Sequence, residues 1–288
     1  MKEKSICFYH DDMDGILSAA IVRRVYPNCE LIRMQYGYDE PKLIEKYCNE
    51  EYDSVFIVDF CFTDLLMNMF KTMATKEFIW CDHHKSAMEK MLDFWDSDKI
   101  SGLRSLNKSG CGLTWEWFNP HENVPEVVKL VQDYDLWKFE YGDRTRAFGE
   151  MNFKLTEPDS PVLKTMLILD NFAKITLNEY VQKGYMLLEA KQARIEKSFK
   201  AGKDITLYGH KTRACNSNHD LSNLGNYCCK QGYDIGLVWS MRGNKIILGF
   251  RSIGDIDVSL IAKEFGGGGH KNASGAETDL KTLGWMLE

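Results

Sequence analysis

The stretch SICFYHDDMDG, Ser5 to Gly15, decides the fold. Ser5–Tyr9 is a short apolar run of the kind a buried strand shows, and three potential metal ligands follow within five residues, His10, Asp12 and Asp14, with Asp11 read as a supporting or solvent-facing group. Ile16–Val25 then carries apolar residues at helical spacing up to Pro27. The same strand-then-helix rhythm repeats outward. Glu30–Tyr36 and Lys42–Tyr47 form the second pair, and Ser54–Val58 and Asp64–Lys71 the third. Phe78–Cys81 is a fourth strand. Alternation at this pace predicts an α/β domain built on a parallel sheet.

Three of these apolar runs end directly in metal-type side chains. His10, Asp12 and Asp14 follow the first, Asp59 follows SVFIV, and Asp82-His83-His84 follows FIWC. In an open α/β sheet the loops at the carboxyl ends of the strands converge on one crevice. A fourth place, Asp133-Tyr134-Asp135, follows the helical run Glu126–Gln132. Carboxylates gathered this way repel one another unless a cation lies between them. Mixed carboxylates and imidazoles suit Mn²⁺, Fe²⁺ or Zn²⁺ better than Ca²⁺. There are enough ligands for two ions, an arrangement suited to in-line displacement at phosphorus.

The second half reads differently. Residues 140–156 mix Gly, Arg and aromatics without a clean period, and Ser160-Pro161 marks a helix start. Ala173–Lys200, broken only by Gly184, reads as a long helix linking two lobes. Strands follow at Asp204–Tyr208 and Thr212–Cys215, and a helix at Leu221–Lys230. Tyr233–Trp239 and Lys245–Phe250 make a hairpin around Arg242-Gly243-Asn244, and Val258–Phe265 is a helix running into Gly266–Gly269. That glycine loop, with His270, offers backbone N–H groups to an anion, and Arg251-Ser252 offers a guanidinium clamp. Trp115, Trp117, Phe118 and Trp137 read as packing residues.

Composition narrows the class. The chain has 288 residues, 44% apolar and 27% charged, which is ordinary globular usage. A net charge of −6 argues against a non-specific duplex binder, which needs a basic face. Nine cysteines without a CxxC pair point to free thiols in a reducing compartment. The charged start MKEKSICFY lacks an apolar leader, and no apolar run approaches the roughly 20 residues of a membrane span. A cytoplasmic protein is expected.

These residues, in this order, resemble the DHH phosphoesterase family. His10-x-Asp12-x-Asp14-Gly15 with Ser18-Ala19 is similar to its first motif and Asp59 to the second. Asp82-His83-His84 is similar to the third, and Asp133 in VQDYDLW to the fourth, where Asp135 stands as an alternative. In many members the first His and Asp stand four apart; here they are two apart. The stretch LGFRSIGDIDVSLIAKEFGGGGHKNASGA resembles the DHHA1 domain, with Ser274 where Ala is common. A related GGGH segment occurs in alanyl-tRNA synthetases.

The resemblance implies a site and a reaction. His10, Asp12 and Asp59 would hold one Mn²⁺. Asp14, Asp59, His83 and Asp133 would hold the other, with Asp82 supporting or ligating and His84 near the scissile phosphate. Arg251, Ser252, Gly267, Gly268, Gly269 and His270 would bind the far end of the substrate. Residues 1–172 would be the DHH catalytic domain, 173–202 a linker helix that lets the lobes open and close, and 203–288 the DHHA1 domain. The implied activity is hydrolysis of short single-stranded RNA or DNA oligonucleotides, or dinucleotides, to 5′-mononucleotides. The alternatives are a cyclic or linear dinucleotide phosphodiesterase, a 3′,5′-bisphosphate nucleotide phosphatase and, from another class, a non-catalytic nucleotide sensor. A homodimer is carried as a further option.

Overall fold

A computed structural model describes residues 3–90, 100–151, 155–168 and 171–287. The chain divides into two compact units, Met1–Leu188 and Glu189–Glu288.

The first unit is built on β1 (Ser5–His10), β2 (Glu30–Met34), β3 (Tyr52–Val58) and β4 (Ala74–Cys81). Their order is β2-β1-β3-β4 and every pair is parallel, as the alternation predicts. The crossovers are α1 (Met13–Val25), α2 (Glu40–Tyr47) and α3 (Asp64–Met73). Both faces of this sheet are covered, which is why its strands are apolar runs rather than alternating ones. On β1, Cys7 and Tyr9 enter one core with Leu17, Ile21 and Trp115, while Ile6 and Phe8 enter the other with Leu66 and Phe70. Helix α1 starts where it does because Asp12 caps it, accepting from the Gly15 N–H at 2.9 Å. Thr63 caps α3 in the same way.

Further helices complete the unit: α4 (Lys85–Lys90), α5 (Gly110–Phe118), α6 (Glu126–Asp135), α7 (Asp143–Glu150) and α8 (Pro161–Met166). Helix α7 occupies the segment that has no clean period in the sequence. Its inward residues are Thr145, Ala147 and Phe148, too few to draw a full apolar stripe. Helix α9 (Asn171–Lys200) passes from the first unit into the second. Gly184 sits in it because a Cβ there would meet the Ala147 carbonyl at 1.9 Å.

The second unit holds β5 (Lys203–Leu207), β6 (His210–Asn216), β7 (Ile235–Arg242), β8 (Lys245–Ser252), β9 (Gly268–His270) and β10 (Ala273–Thr278). The order is β5-β6-β7-β8-β10-β9, with β6–β7 the parallel pair and the rest antiparallel. Helix α10 (Leu221–Lys230) packs on Cys215 and Val238. Helices α11 (Val258–Glu264) and α12 (Leu280–Leu287) close a second small core around Leu237, Leu248 and Phe250. Part of the expected glycine loop is therefore strand. No disulfide joins any of the nine cysteines. No helix among the described residues is long and apolar enough to cross a membrane.

Candidate metal centre

Because β1, β3 and β4 are parallel neighbours, the residues just past their carboxyl ends share one edge of the sheet. His10 closes β1, and its Nδ1 lies 2.6 Å from Asp12 Oδ2. Burial alone would raise the Asp12 pKa. The His10 contact and the Gly15 N–H outweigh it, and the net shift is downward, so Asp12 stays ionised.

Asp59 follows β3 with φ +52 and is 1% exposed. Neither of its oxygens accepts a hydrogen bond. Gly110, the first residue of α5, lies against it: a Cβ there would sit 2.5 Å from Asp59 Cβ. The same helix end serves Asp14. The Gly110 N–H donates to Asp14 Oδ2 at 2.6 Å and the Cys111 N–H to Oδ1 at 3.0 Å. A helix N-terminus thus offsets one buried carboxylate while leaving its neighbour unsatisfied.

Asp82, fully buried, organises the third motif through a single oxygen. Its Oδ1 accepts from the backbone N–H groups of His83 (2.7 Å) and His84 (3.2 Å) and from His84 Nδ1 (2.8 Å). Its Oδ2 has no partner. The Asp82 bond raises the His84 pKa and favours the charged ring. His83 is shifted the other way, first by desolvation. Its Nε2 stands 3.2 Å from Asp59 Oδ1, 3.5 Å from Asp135 Oδ2 and 3.7 Å from Asp14 Oδ2.

The fourth motif resolves into two different roles. Asp133 turns away from the cluster and wraps the chain that follows α6. Its carboxylate accepts from the N–H groups of Glu140 (2.8 Å) and Tyr141 (3.2 Å) and from the Thr145 hydroxyl. Asp135, two residues on, reaches His83 instead. Desolvation, then the charges of Asp14 and Asp12, push its pKa up to about 7. The structure therefore brings Asp135, and not Asp133, to the position expected of the fourth ligand. The backbone held by Asp133 carries positive φ at Trp137 (56°) and Phe139 (53°). Trp137 is 62% exposed, contrary to the packing role expected of it. Sequence spacing missed Gly110 and Cys111; the available signal was Ser109-Gly110 opening an apolar helix.

Three overlapping groups of ligand atoms result, each within 4.8 Å: His10, Asp12, Asp59; Asp59, His83, His84; and Asp14, His83, Asp135. Asp59 belongs to two of them, as does His83. Desolvation, then Asp14, Asp12 and Asp82, raise the Asp59 pKa well above the carboxylate range. The donor set fits a divalent cation. Four buried carboxylate oxygens, two on Asp59 and one each on Asp82 and Asp135, accept no hydrogen bond. Oxygen and imidazole donors together match Mn²⁺ or a neighbouring first-row ion.

The second-unit candidates are self-satisfied by contrast. Arg251 donates to the Phe250 carbonyl at 2.8 Å and to Ser222 Oγ at 2.6 Å. Ser252 Oγ donates to the Ile256 carbonyl and accepts from the Asn272 amide. Gly268, Gly269 and His270 form β9, paired with β10, and Gly267 precedes it. His270 is exposed.

The ordered strand-end motifs and the two sheets resemble those of the DHH/DHHA1 phosphoesterases. Residues 216–284 match the model of the DHHA1 domain. An uncharacterized protein of Acanthamoeba polyphaga mimivirus is 30% identical over 77% of this chain and 52% of its own length. This chain thus spans about half of that relative. Oligoribonuclease NrnB of Bacillus subtilis (strain 168) is 25% identical over 93% of this chain and 71% of its own. In fold, the chain is similar to the pGpG-specific phosphodiesterase PggH from Vibrio cholerae. That match has TM-score 0.58 and 11% identity, over 98% of this chain and 95% of that one. It is also similar to exonuclease RecJ bound to manganese. Here the TM-score is 0.53 and the identity 14%, over 99% of this chain and 88% of that one.

Proposed function

We propose that this protein is a metal-dependent phosphodiesterase that hydrolyses short oligonucleotides to 5′-mononucleotides. The observation that carries this reading is Asp59: a buried carboxylate neither of whose oxygens accepts a hydrogen bond, shared between two ligand groups and pressed by Asp14, Asp12 and Asp82. An isolated cluster of that kind is costly, and a dication between the carboxylates removes the cost. His10, Asp12 and Asp59 would hold one ion; Asp14, Asp59, His83 and Asp135 would hold the second. When bound, two divalent ions, taken here as Mn²⁺, supply an activated water and neutralise charge on the phosphoryl oxygens.

The chain's own groups supply the rest. Asp82 accepts the Nδ1 proton of His84, which fixes the ring and leaves Nε2 free to donate to a phosphoryl oxygen. The α5 N-terminus holds Asp14 in place through two backbone N–H groups. Arg251, Ser252, Gly267, Gly268, Gly269 and His270 are proposed to bind the remote nucleotide. The relatives named for oligoribonuclease and dinucleotide activity favour short substrates, and the absence of a net basic charge agrees. Nine cysteines without a disulfide suit a reducing cytoplasm.

The test is a timed digestion with Mn²⁺ of 5′-labelled RNAs two, five and twenty-four nucleotides long. Cyclic di-AMP and adenosine 3′,5′-bisphosphate run beside them, with EDTA and Asp82→Ala controls. Metal-dependent release of mononucleotides, fastest from the short RNAs, is expected. Folded, metal-loaded protein that turns over none of them contradicts the reading and returns the sensor alternative.

A further inference from the structure

Beside the metal centre, the turn after β2 presents an aromatic side chain that no motif includes. His10 and Met34 are paired in register, so the residues just past Met34 rise next to the strand-end ligands. Tyr36 lies there, before Gly37 at φ +86. Its ring centroid is 5.5 Å from that of His10 and 6.2 Å from that of His84. It stacks on buried Phe60 at 4.7 Å and 26°. Despite that support, Tyr36 is 53% exposed. One face is fixed and the remainder is open to solvent.

Tyr36 also opens a groove of about 360 Å³ between β2 and α2. Tyr38, Lys42, Lys46 and Tyr47 line it further on. Tyr38 is held by the Thr63 N–H, which donates to its hydroxyl at 3.0 Å, and by Phe62 at 5.3 Å. Lys46 Nζ sits 4.9 Å over the Tyr47 ring. Lys42 pairs with exposed Asp39 at 2.9 Å, with its side chain 80% exposed. Arg33, in the same wall, is already matched to Asp11 and Glu157. Aromatic faces followed by flexible ammonium groups are what a single strand uses: bases stack, phosphates meet lysines. The groove lining carries Arg33, Lys42 and Lys46 and no carboxylate, although Asp39, Glu40 and Glu45 stand in the same stretch of chain.

We propose that the β2–α2 groove is a subsite for single-stranded nucleic acid, in which Tyr36 stacks the base next to the cleaved phosphate and Lys42 and Lys46 meet the following phosphates. This rests on the phosphodiesterase reading above and adds a track within the first unit. It makes Tyr36 a determinant of preference for nucleotides over other phosphodiesters.

The test compares kcat/KM on pApA, on a pentaadenylate and on a pentanucleotide of abasic residues, for wild type, Tyr36→Ala, Tyr36→Phe and the double variant Lys42→Glu/Lys46→Glu. Tyr36→Ala is expected to lose about 10- to 100-fold on both base-bearing strands and nothing on the abasic one. Tyr36→Phe keeps the ring and stays near wild type. The lysine double variant keeps the pApA rate, loses several-fold on pentaadenylate, and shows a shallower salt dependence. Equal loss on abasic and base-bearing strands, or no loss on either, overturns the proposal. If wild type turns over nothing, the phosphodiesterase reading falls. The groove is then decided by fluorescence anisotropy of a labelled pentaadenylate: weaker binding to Tyr36→Ala supports it, and unchanged binding overturns it.

Discussion

The carboxyl edge of the parallel sheet and the β8–β10 region of the second unit are both rich in candidate functional residues, yet they are built on opposite principles. At the sheet edge, Asp59, Asp82 and Asp135 are left with buried oxygens that accept no hydrogen bond from the described residues. In the second unit, Arg251 bonds to the Phe250 carbonyl and to Ser222, and Ser252 and Asn272 bond to each other and to nearby carbonyls. Buried polar groups are normally paired, so a cluster of exceptions marks a place completed from outside the chain. A self-satisfied surface needs no ligand to be stable and gives one up at little cost. Substitutions should therefore act on chemistry in the first region and on affinity in the second.

The largest effect is expected at Asp59. Asp59→Asn tolerates the positive φ better than Ala would, so the fold is kept while the shared ligand is lost. Turnover should fall by about 10³-fold or more, the loss that follows when about 4 kcal/mol of charge stabilisation leaves the transition state. Steady-state assays with circular dichroism check this; near-normal activity would erase the contrast between the two regions. Gly110→Ala comes next. Its new Cβ would strike Asp59 at 2.5 Å, so metal affinity and rate should both drop, by about 10- to 100-fold, while the strands remain. A fully active, fully loaded variant would show that α5 does not set the Asp59 position.

The pH response of stability sharpens the same comparison. Without metal, Asp135 titrates near 7 in the fold against an ordinary 3.8 when unfolded. Asp59 is shifted in the same direction. The unfolded chain thus releases these protons at lower pH than the fold does, and metal-free stability should fall as pH rises from about 4 through 7. His84 is shifted up and adds to this fall, while His83 is shifted down and opposes it. Melting curves in EDTA should show Tm decreasing across that window, and Mn²⁺ should remove the decline. A Tm that climbs from pH 5 to 7 in EDTA would contradict the cluster's electrostatics. The smallest effect is expected at His270→Ala, which should raise KM several-fold with kcat held. A collapsed kcat at constant KM would move His270 into the chemistry.

Much of this was legible because the parallel sheet writes itself plainly. A strand covered on both faces is a short apolar run, and a ligand directly after it falls on a known edge. SVFIV before Asp59 and FIWC before Asp82 carry that information in five and four letters. The fourth motif lies on a helix end, where no such edge exists. Asp133 and Asp135 are two apart, about 200° around a helix, and only the folded backbone decides which one faces His83. The packing of Gly110 on Asp59 was illegible for a related reason: it joins residues far apart in sequence through a close approach that leaves no periodic trace. Tyr36 was hidden inside a strand prediction that runs two residues past the observed end of β2.

The central claim is that the sheet-edge carboxylates form a two-ion centre completed by Asp135 while Asp133 only shapes the loop. Counting bound Mn²⁺ by calorimetric titration of wild type, Asp135→Ala and Asp133→Ala tests it most directly. Two ions per chain in wild type, one tight ion lost in Asp135→Ala, and both retained in a less stable Asp133→Ala are predicted. Loss of an ion from a folded Asp133→Ala, with Asp135→Ala unaffected, would contradict the account.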